Sequence, residues 1–221
     1  MNILVIGAGG VGASMASIAE TRSFFTQFVL ADISLSRAEE AIAQLDDRSK
    51  FVAEQVDARD MTAIKALIER VKADVVVNAC DPRMNEPIFN AAYEAHCNYI
   101  DMAMNLSEPH ASNPYEEVGS PLGADQLAAD QAWRDRGLLA LVGMGVEPGL
   151  SDVFARYAAD NLFDTIDEIG VRDGSNLSID GLDFAPTFSI WTTIEECLNP
   201  PLVWEDGRGW YTTEPFSELE V

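Results

Sequence analysis

The chain has 221 residues, 48% of them apolar, enough for one large domain or for one domain and part of another. Its 14 basic against 37 acidic side chains leave a formal charge of −23, a balance that disfavours nucleic acid as a partner. No apolar run approaches the roughly 20 residues of a bilayer span, and no basic segment precedes the first apolar stretch, so a cytoplasmic protein with no membrane partner is expected.

The only lysines are Lys50, Lys65 and Lys72. Such a lysine-poor, acid-rich composition suits a protein kept soluble in concentrated salt and equally an ordinary acidic cytosolic one. Cys80, Cys97 and Cys197 form no CxxC pair and have no histidine at zinc-ligand spacing, although Cys97 follows His96 directly. Neither a disulfide framework nor a bound metal is expected.

Along the first 160 residues short apolar runs alternate with stretches of helical period, the pattern of repeated βα units around a parallel sheet. Asn2 to Ile6 reads as a strand, and Val11, Met15, Ile18 and Ala19 as the inner face of the helix after it. Phe28 to Ala31 pairs in the same way with Ala38, Ala41, Ile42 and Leu45, and Phe51-Val52 with Met61, Ile64, Ile68 and Val71. A fourth unit joins Val75 to Asn78 with a helix through Pro87, Ile88, Ala91 and Ala95, where Pro87 suits the first turn. Tyr99 to Asp101 and Leu138 to Val142 read as two more strands, with one helix over 124–136 between them. Met104 to Gly123, rich in proline and glycine, reads as a long irregular loop.

After Leu150, Val153, Phe154, Tyr157 and Ala158 predict another amphipathic helix. Beyond it Ile166 to Val171, Phe184 to Ile190, Leu202 to Glu205 and Trp210 to Thr213 read as strands, with Asp206-Gly207 as a hairpin signal. Trp204 and Trp210 are expected to fill a sheet face. The expected fold is therefore α/β, a Rossmann-type doubly wound parallel sheet over residues 1–148, followed by an incomplete α+β second domain over 149–221.

Gly7-Ala8-Gly9-Gly10-Val11-Gly12 matches GxGxxG between a strand and a helix, and Asp32 follows 20 positions after Gly12. Gly7 permits the tight turn, Gly9 lets a pyrophosphate approach the backbone, and Gly12 allows close helix–strand packing. The helix N-terminus offers free N–H groups to phosphate. A carboxylate at Asp32 favours NAD over NADP, while Ser34 and Arg37 just beyond leave room for a 2′-phosphate. Asp57, after the third strand, is a candidate contact for adenine or else a helix cap, and Asn78 and Ala79 end the fourth strand where cofactor and substrate meet.

The segments MNILVIGAGGVG, VVVNACDP, YIDMAMNLSEP and LVGMGVEPGLSDVFARYAAD, continuing through DGLDFAPTFSIWTTIEECLNPPLVWEDGRGW, resemble the saccharopine dehydrogenase-like family. The family includes saccharopine reductases, lysine 6-dehydrogenase and carboxynorspermidine dehydrogenases. The resemblance implies an NAD(P)-linked enzyme that moves hydride between nicotinamide and an imine or amine derived from an amino acid or polyamine. It implies cofactor contacts at Gly7, Gly9, Gly10, Val11, Gly12 and Asp32, with Asp57, Asn78 and Ala79 as weaker ones. It also places Gly145, Glu147, Pro148, Gly149, Ser151 and Asp152 at the hinge into a second domain. Family members are longer, so the second domain is expected to be cut short and to favour a homodimer. The alternative is a non-catalytic dinucleotide-binding module.

For proton transfer only His96 and His110 titrate near neutrality unaided. His96 reads as a helix cap, which leaves His110 on the irregular loop as the catalytic candidate. Asp101 and Glu147 are candidates to bind a substrate ammonium. Trp191, Thr192, Thr193, Glu195 and Glu196 read as the start of a capped surface helix with Trp191 in the core, the alternative being that Glu195 and Glu196 face a cationic substrate, and Cys80 as a buried apolar residue.

Overall fold

The central strands are apolar on both faces because both faces are covered. The computed structural model describes residues 1–172, 178–182 and 190–217, with the side chains of 191–193 and 196 outside that description. In chain order the first elements are β1 (Asn2–Ile6), α1 (Gly10–Glu20), β2 (Gln27–Asp32), α2 (Leu35–Ala43), β3 (Phe51–Gln55) and α3 (Met61–Val71). They continue as β4 (Val75–Asn78), a 3-10 turn at Pro82–Met84, α4 (Asn85–Glu94) and β5 (Asn98–Asp101). α5 (Ala124–Ala128), α6 (Asp130–Asp135) and β6 (Ala140–Leu141) complete a six-stranded sheet of order β3-β2-β1-β4-β5-β6, every neighbouring pair parallel.

On one face Leu4, Ile6, Val29, Val76 and Tyr99 meet Ile64, Leu67 and Ile68 of α3, Ile88 and Phe89 of α4, and Trp133 of α6. On the other face Ile3, Val5, Phe28 and Leu30 meet Ala16 and Ala19 of α1 and Ala38 and Ile42 of α2. Successive strand residues point to opposite faces, so β1 contributes to both cores and the sheet is doubly wound.

Helix ends follow their local chemistry. Asp60 caps α3, its carboxylate accepting the Ala63 N–H at 3.0 Å. α4 ends in a left-handed residue, His96 at φ 55°, with the Cys97 N–H on the Ala92 carbonyl and the His96 N–H on the Tyr93 carbonyl. That is the Schellman arrangement, with a histidine in the position glycine usually takes.

Several expected elements differ. The buried face of α1 is Gly12, Ala16 and Ala19, with Met15 partly buried against the same core, while Val11 and Ile18 are exposed. The single helix expected over 124–136 is two short ones, interrupted at Ala129. Ile166 to Val171 forms no strand, and Ile166, Ile169 and Val171 are exposed. Of Phe184 to Ile190, residues 184–189 lie outside the described residues and Ile190 opens α8 (Ile190–Leu198).

The chain divides into two compact units, one of residues 1–105 with 125–156 and one of residues 106–124 with 157–221. α7 (Leu150–Asn161) follows the sheet; none of its residues is buried, and Val153, Phe154 and Tyr157 form an uncovered apolar face. In the second unit β7 (Leu202–Glu205) and β8 (Gly209–Thr212) form an antiparallel hairpin, with Gly207 in its turn and Gly209 at the start of β8 both at positive φ. Trp204 faces Trp210 across the ladder, and both are exposed rather than packed on a sheet face. Among the described residues no helix is long and apolar enough to cross a membrane.

Candidate functional site

In open parallel sheets ligands bind beyond the carboxyl ends of the strands where the order reverses, here between β1 and β4. The turn after β1 sits at that point. Gly7 has φ 107°, and a Cβ there would stand 2.7 Å from the Ala79 carbonyl oxygen. A Cβ on Gly12 would collide with the Gly7 carbonyl, so these two glycines let turn, helix and strand approach one another. Gly9 and Gly10 differ: nothing among the described residues lies within 4 Å of a Cβ built at either. Gly9 caps α1 without any side-chain hydrogen bond, and Gly9, Gly10 and Val11 are exposed. The first N–H groups of α1 thus face open space with the helix dipole behind them, an arrangement suited to a phosphate.

Asp32, at the end of β2, is turned inward. One carboxylate oxygen accepts the Ala8 N–H at 2.9 Å and the other the Ser34 N–H at 2.9 Å, and the side chain is 8% exposed. Asp32 therefore ties the glycine turn to the end of β2, which leaves its carboxylate little free surface for ribose hydroxyls. Around it lie more exposed groups: Arg37, whose guanidinium is 3.9 Å from Asp32, and the hydroxyls of Ser34 and Ser36, 3.0 Å apart. Asp57 is paired with Arg59, which donates from Nε at 2.9 Å and from a terminal nitrogen at 2.7 Å. These bonds hold its carboxyl down to about 2, and the helix cap is Asp60 instead.

The ends of β4 and β5 are built in the opposite way. Asn78 is 1% exposed. Its amide nitrogen donates to Asn85 at 2.7 Å and to the Tyr99 hydroxyl at 3.2 Å, and its oxygen accepts the Cys80 N–H at 3.0 Å. Asn85 in turn donates to the Ala103 carbonyl at 2.7 Å. Ala79 is half-buried, its N–H on the Ile6 carbonyl at 2.8 Å. The Asn78 amide thus spends its hydrogens inside the protein, holding the strand end. Cys80 lies against the Ile6 carbonyl, and burial, with Asp32 and Asp81 nearby, pushes its thiol up to about 12, far from a reactive thiolate.

Asp101, considered from sequence as an ammonium ligand, is 1% exposed and fully engaged. Its carboxylate accepts the Gly143 N–H at 2.6 Å and the Gln126 side-chain N–H at 2.7 Å, with the Tyr99 hydroxyl as a further donor. Its backbone carbonyl accepts the Met144 N–H at 2.8 Å. Burial raises its carboxyl above the ordinary value even against those bonds. Burial and the Asp101 charge likewise push the Tyr99 hydroxyl up. Asn85 and Gln126 had no signal in the sequence; the register of β4 and β5, which sets Asn78 beside Asp101 in an apolar sheet, is seen only in the structure.

The turn from Gly143 to Gly149 is closed by its own backbone. The Gly145 N–H meets the Pro148 carbonyl and the Leu150 N–H the Gly145 carbonyl, each at 3.0 Å, and Asp152 accepts the Gly149 N–H at 2.8 Å. Glu147 is exposed on this turn, while the Ser151 hydroxyl is buried with no hydrogen-bond partner among the described residues. His110 lies in the other compact unit, within the loop around the Glu108–Ser120 bridge. There its Nδ1 accepts the Asn113 N–H at 3.2 Å and its Nε2 is 3.6 Å from Glu117. Among the described residues no group of acidic, histidine and cysteine side chains could hold a metal ion.

The strand order and the open glycine turn define a dinucleotide-binding domain of the Rossmann class. Residues 3–141 match the family model described as the saccharopine dehydrogenase NADP binding domain, and the chain belongs to that family. Among curated relatives it is 33% identical over 216 residues to the carboxynorspermidine synthase of Vibrio cholerae, covering 94% of this chain and 51% of that one. It is 28% identical over 215 residues to the carboxyaminopropylagmatine dehydrogenase of a Synechocystis species, covering 97% of this chain and 51% of the relative. The chain spans about half the length of the curated relatives it matches. Among solved structures, the L-Glu-forming saccharopine dehydrogenase of Saccharomyces cerevisiae shares the fold, with a TM-score of 0.55 and 14% identity over 73% of this chain and 31% of that one.

Proposed function

We propose that this chain binds NADP(H) for an oxidoreductase that moves hydride between nicotinamide and the carbon of an amine or imine. The observation that carries it is the open glycine turn: Gly9, Gly10 and Val11 exposed at the start of a helix, at the point where the strand order reverses. In that reading the pyrophosphate lies on the turn and Gly7 and Gly12 shape it, while Ala79 and the end of β4 border the site. Asp57 and Asn78 stay at its edge, engaged with their own neighbours. The reduction adds hydride to a C=N carbon and a proton to its nitrogen, leaving a secondary amine and the oxidised cofactor.

The names of the two relatives, each a carboxylated amine, support a polyamine-like substrate bearing a carboxylate. Glu147, exposed on its turn, is the proposed ligand for an ammonium of that substrate. NADP is preferred to NAD because Asp32 is occupied by backbone donors while Arg37, Ser34 and Ser36 remain for a 2′-phosphate. Residues from 149 onward are read as the start of a substrate and dimer-forming domain. Cys80, Cys97 and Cys197 are all free, which suits the cytoplasm.

The test is titration of the 221-residue chain with NADPH and NADH, followed by thermal unfolding. NADPH is expected to raise the melting temperature more than NADH, and Arg37→Ala to weaken NADPH about tenfold with little change for NADH. Equal shifts for both cofactors in the wild type would overturn the preference, and no shift with either would overturn the cofactor site. Turnover is then tested with carboxynorspermidine and NADP, read by nicotinamide absorbance.

A further inference from the structure

The buried polar residues of the sheet, Asp32 apart, gather at one place. Asn78, Asn85, Asp101 and Gln126 all lie at the carboxyl ends of β4 and β5 or on the helices that cover them. They form one chain of hydrogen bonds. It runs from the Cys80 N–H through Asn78 to the Tyr99 hydroxyl, on to the Asp101 carboxylate, and out to Gly143 and Gln126. Gln126 closes it by accepting the Asn105 N–H at 2.7 Å, which fixes the chain where it leaves β5. At its other end Cys80 and Ala79 touch the Ile6 carbonyl, next to Gly7.

A buried carboxylate is retained against its desolvation cost only where its donors are all in place. Asp101 has three, from a backbone, an amide and a phenol. An ionised carboxylate can accept all of them and donates to none, so a single charge sets the direction of the whole chain. The groups it thereby fixes include the start of the Gly143–Gly149 turn, held at two successive N–H groups: Gly143 on the carboxylate and Met144 on the Asp101 carbonyl. Packing leaves that turn no slack. A Cβ on Gly145 would stand 2.5 Å from the Met102 carbonyl oxygen, and one on Gly149 would collide with the Gly145 carbonyl.

We propose that Asp101 is a positioning residue: through Gly143 and Met144 it locks the Glu147-bearing turn to the strand end beside the glycine turn, and so sets where the substrate amine meets the cofactor. The last clause rests on the function proposed above; the lock itself does not. Asp101 touches neither cofactor nor substrate, and acts through Gly143, Met144 and Gln126.

The hydrogen-bond directions supply a test that separates this role from direct chemistry by the carboxylate. In Asp101→Asn the new NH2 group must face either the Gly143 N–H or the Gln126 NH2, donor against donor. In the double variant Asp101→Asn with Gln126→Glu the conflict disappears. The introduced amide keeps its oxygen on the Gly143 N–H and donates to the introduced carboxylate, whose other oxygen still accepts the Asn105 N–H. Amide hydrogen exchange of the 221-residue chain is followed at Gly143 and Met144, with β1 amides as reference. The single variant is expected to speed exchange at both by about tenfold or more, and the double variant to bring it back within about threefold of wild type.

Unchanged exchange in Asp101→Asn, or a folded double variant that stays fast, overturns the lock. If Asp101→Asn does not fold, Gln126→Leu serves instead. It removes one donor from Asp101 and is expected to speed Gly143 exchange about threefold, and no change there also overturns the proposal. Where turnover is measurable, kcat should fall in the single variant and recover in the double one, with the NADPH affinity steady throughout. Recovery of exchange without recovery of kcat would overturn the positioning role and make the carboxylate itself the reactive group. Failure of NADPH to bind even the wild type would defeat the proposed function and leave the exchange result to decide the lock.

Discussion

Two neighbouring stretches of the same sheet edge treat their polar groups in opposite ways. After β1 the residues Gly9, Gly10 and Val11 are exposed at the start of α1, and among the described residues no side chain caps the helix there. After β4 and β5, Asn78, Tyr99, Asp101 and Gln126 bury polar atoms and bond them to one another. Unsatisfied donors are tolerable only at a surface where water or a ligand serves them. The first stretch is therefore built to receive something, and the second to stay where it is.

The largest expected effect separates the two kinds of glycine inside the first stretch. Gly12→Ala places a methyl group against the Gly7 carbonyl, with Leu30 Cδ1 only 3.5 Å away, and backbone cannot yield cheaply there. Urea unfolding should show a loss of roughly 3 kcal/mol. Gly9→Ala meets open space at an extended φ of −73°, so its stability should stay within about 1 kcal/mol of wild type. NADPH binding should nonetheless weaken about tenfold, since the methyl occupies the ground the pyrophosphate needs. A stable Gly9→Ala chain that binds NADPH normally would remove the distinction between shaping glycines and receiving ones.

In the second stretch the intermediate effect belongs to Tyr99→Phe. Its hydroxyl is where Asn78 and Asp101 meet, so removal leaves a buried amide hydrogen unpaired and takes a donor from a buried carboxylate. A cost of roughly 1–3 kcal/mol is expected in urea unfolding, with the NADPH-induced thermal shift retained. A Phe variant as stable as wild type would show that water serves these groups, and the stretch would then resemble its open neighbour.

The contrast also explains what the sequence made legible. The glycine turn is a local backbone requirement. Gly7, Gly9 and Gly12 stand within six positions between an apolar run and a helical face, and the strands and helices of the sheet follow from the same short-range periods. The second stretch depends on partners 7 to 42 positions apart, such as Asn78 with Asn85 and Asp101 with Gly143, and no spacing rule joins them. For that reason Asp101 read as a free ligand and Asn85 and Gln126 were not singled out. Asp32 is legible in part: its place after β2 follows from the pattern, but the Ala8 and Ser34 amides that its carboxylate accepts are visible only in three dimensions. Val11 and Ile18 satisfied the helical period, yet the fully buried residues of α1 are Gly12, Ala16 and Ala19, with Met15 partly buried beside them.

The smallest effect comes from the carboxylates, whose shifts run in opposite directions. Asp101, raised by burial, favours the folded state most when protonated, and that contribution is lost as pH rises through its folded pKa. Asp57, held down to about 2 by Arg59, contributes above its ordinary value of 3.8, and loses that contribution as pH falls toward 2. The two windows lie on either side of the ordinary carboxyl range. Asp57 is solvent-exposed and its pair well screened, so Asp57→Asn should leave the urea midpoint at neutral pH nearly unchanged. Subtracting the variant's pH profile from that of wild type should leave a small, flat difference above 3.8 that fades as pH falls toward 2. A difference that still changes with pH above that range would mean that Asp57 is coupled to the buried cluster, and the two stretches of the sheet edge could no longer be treated as independent.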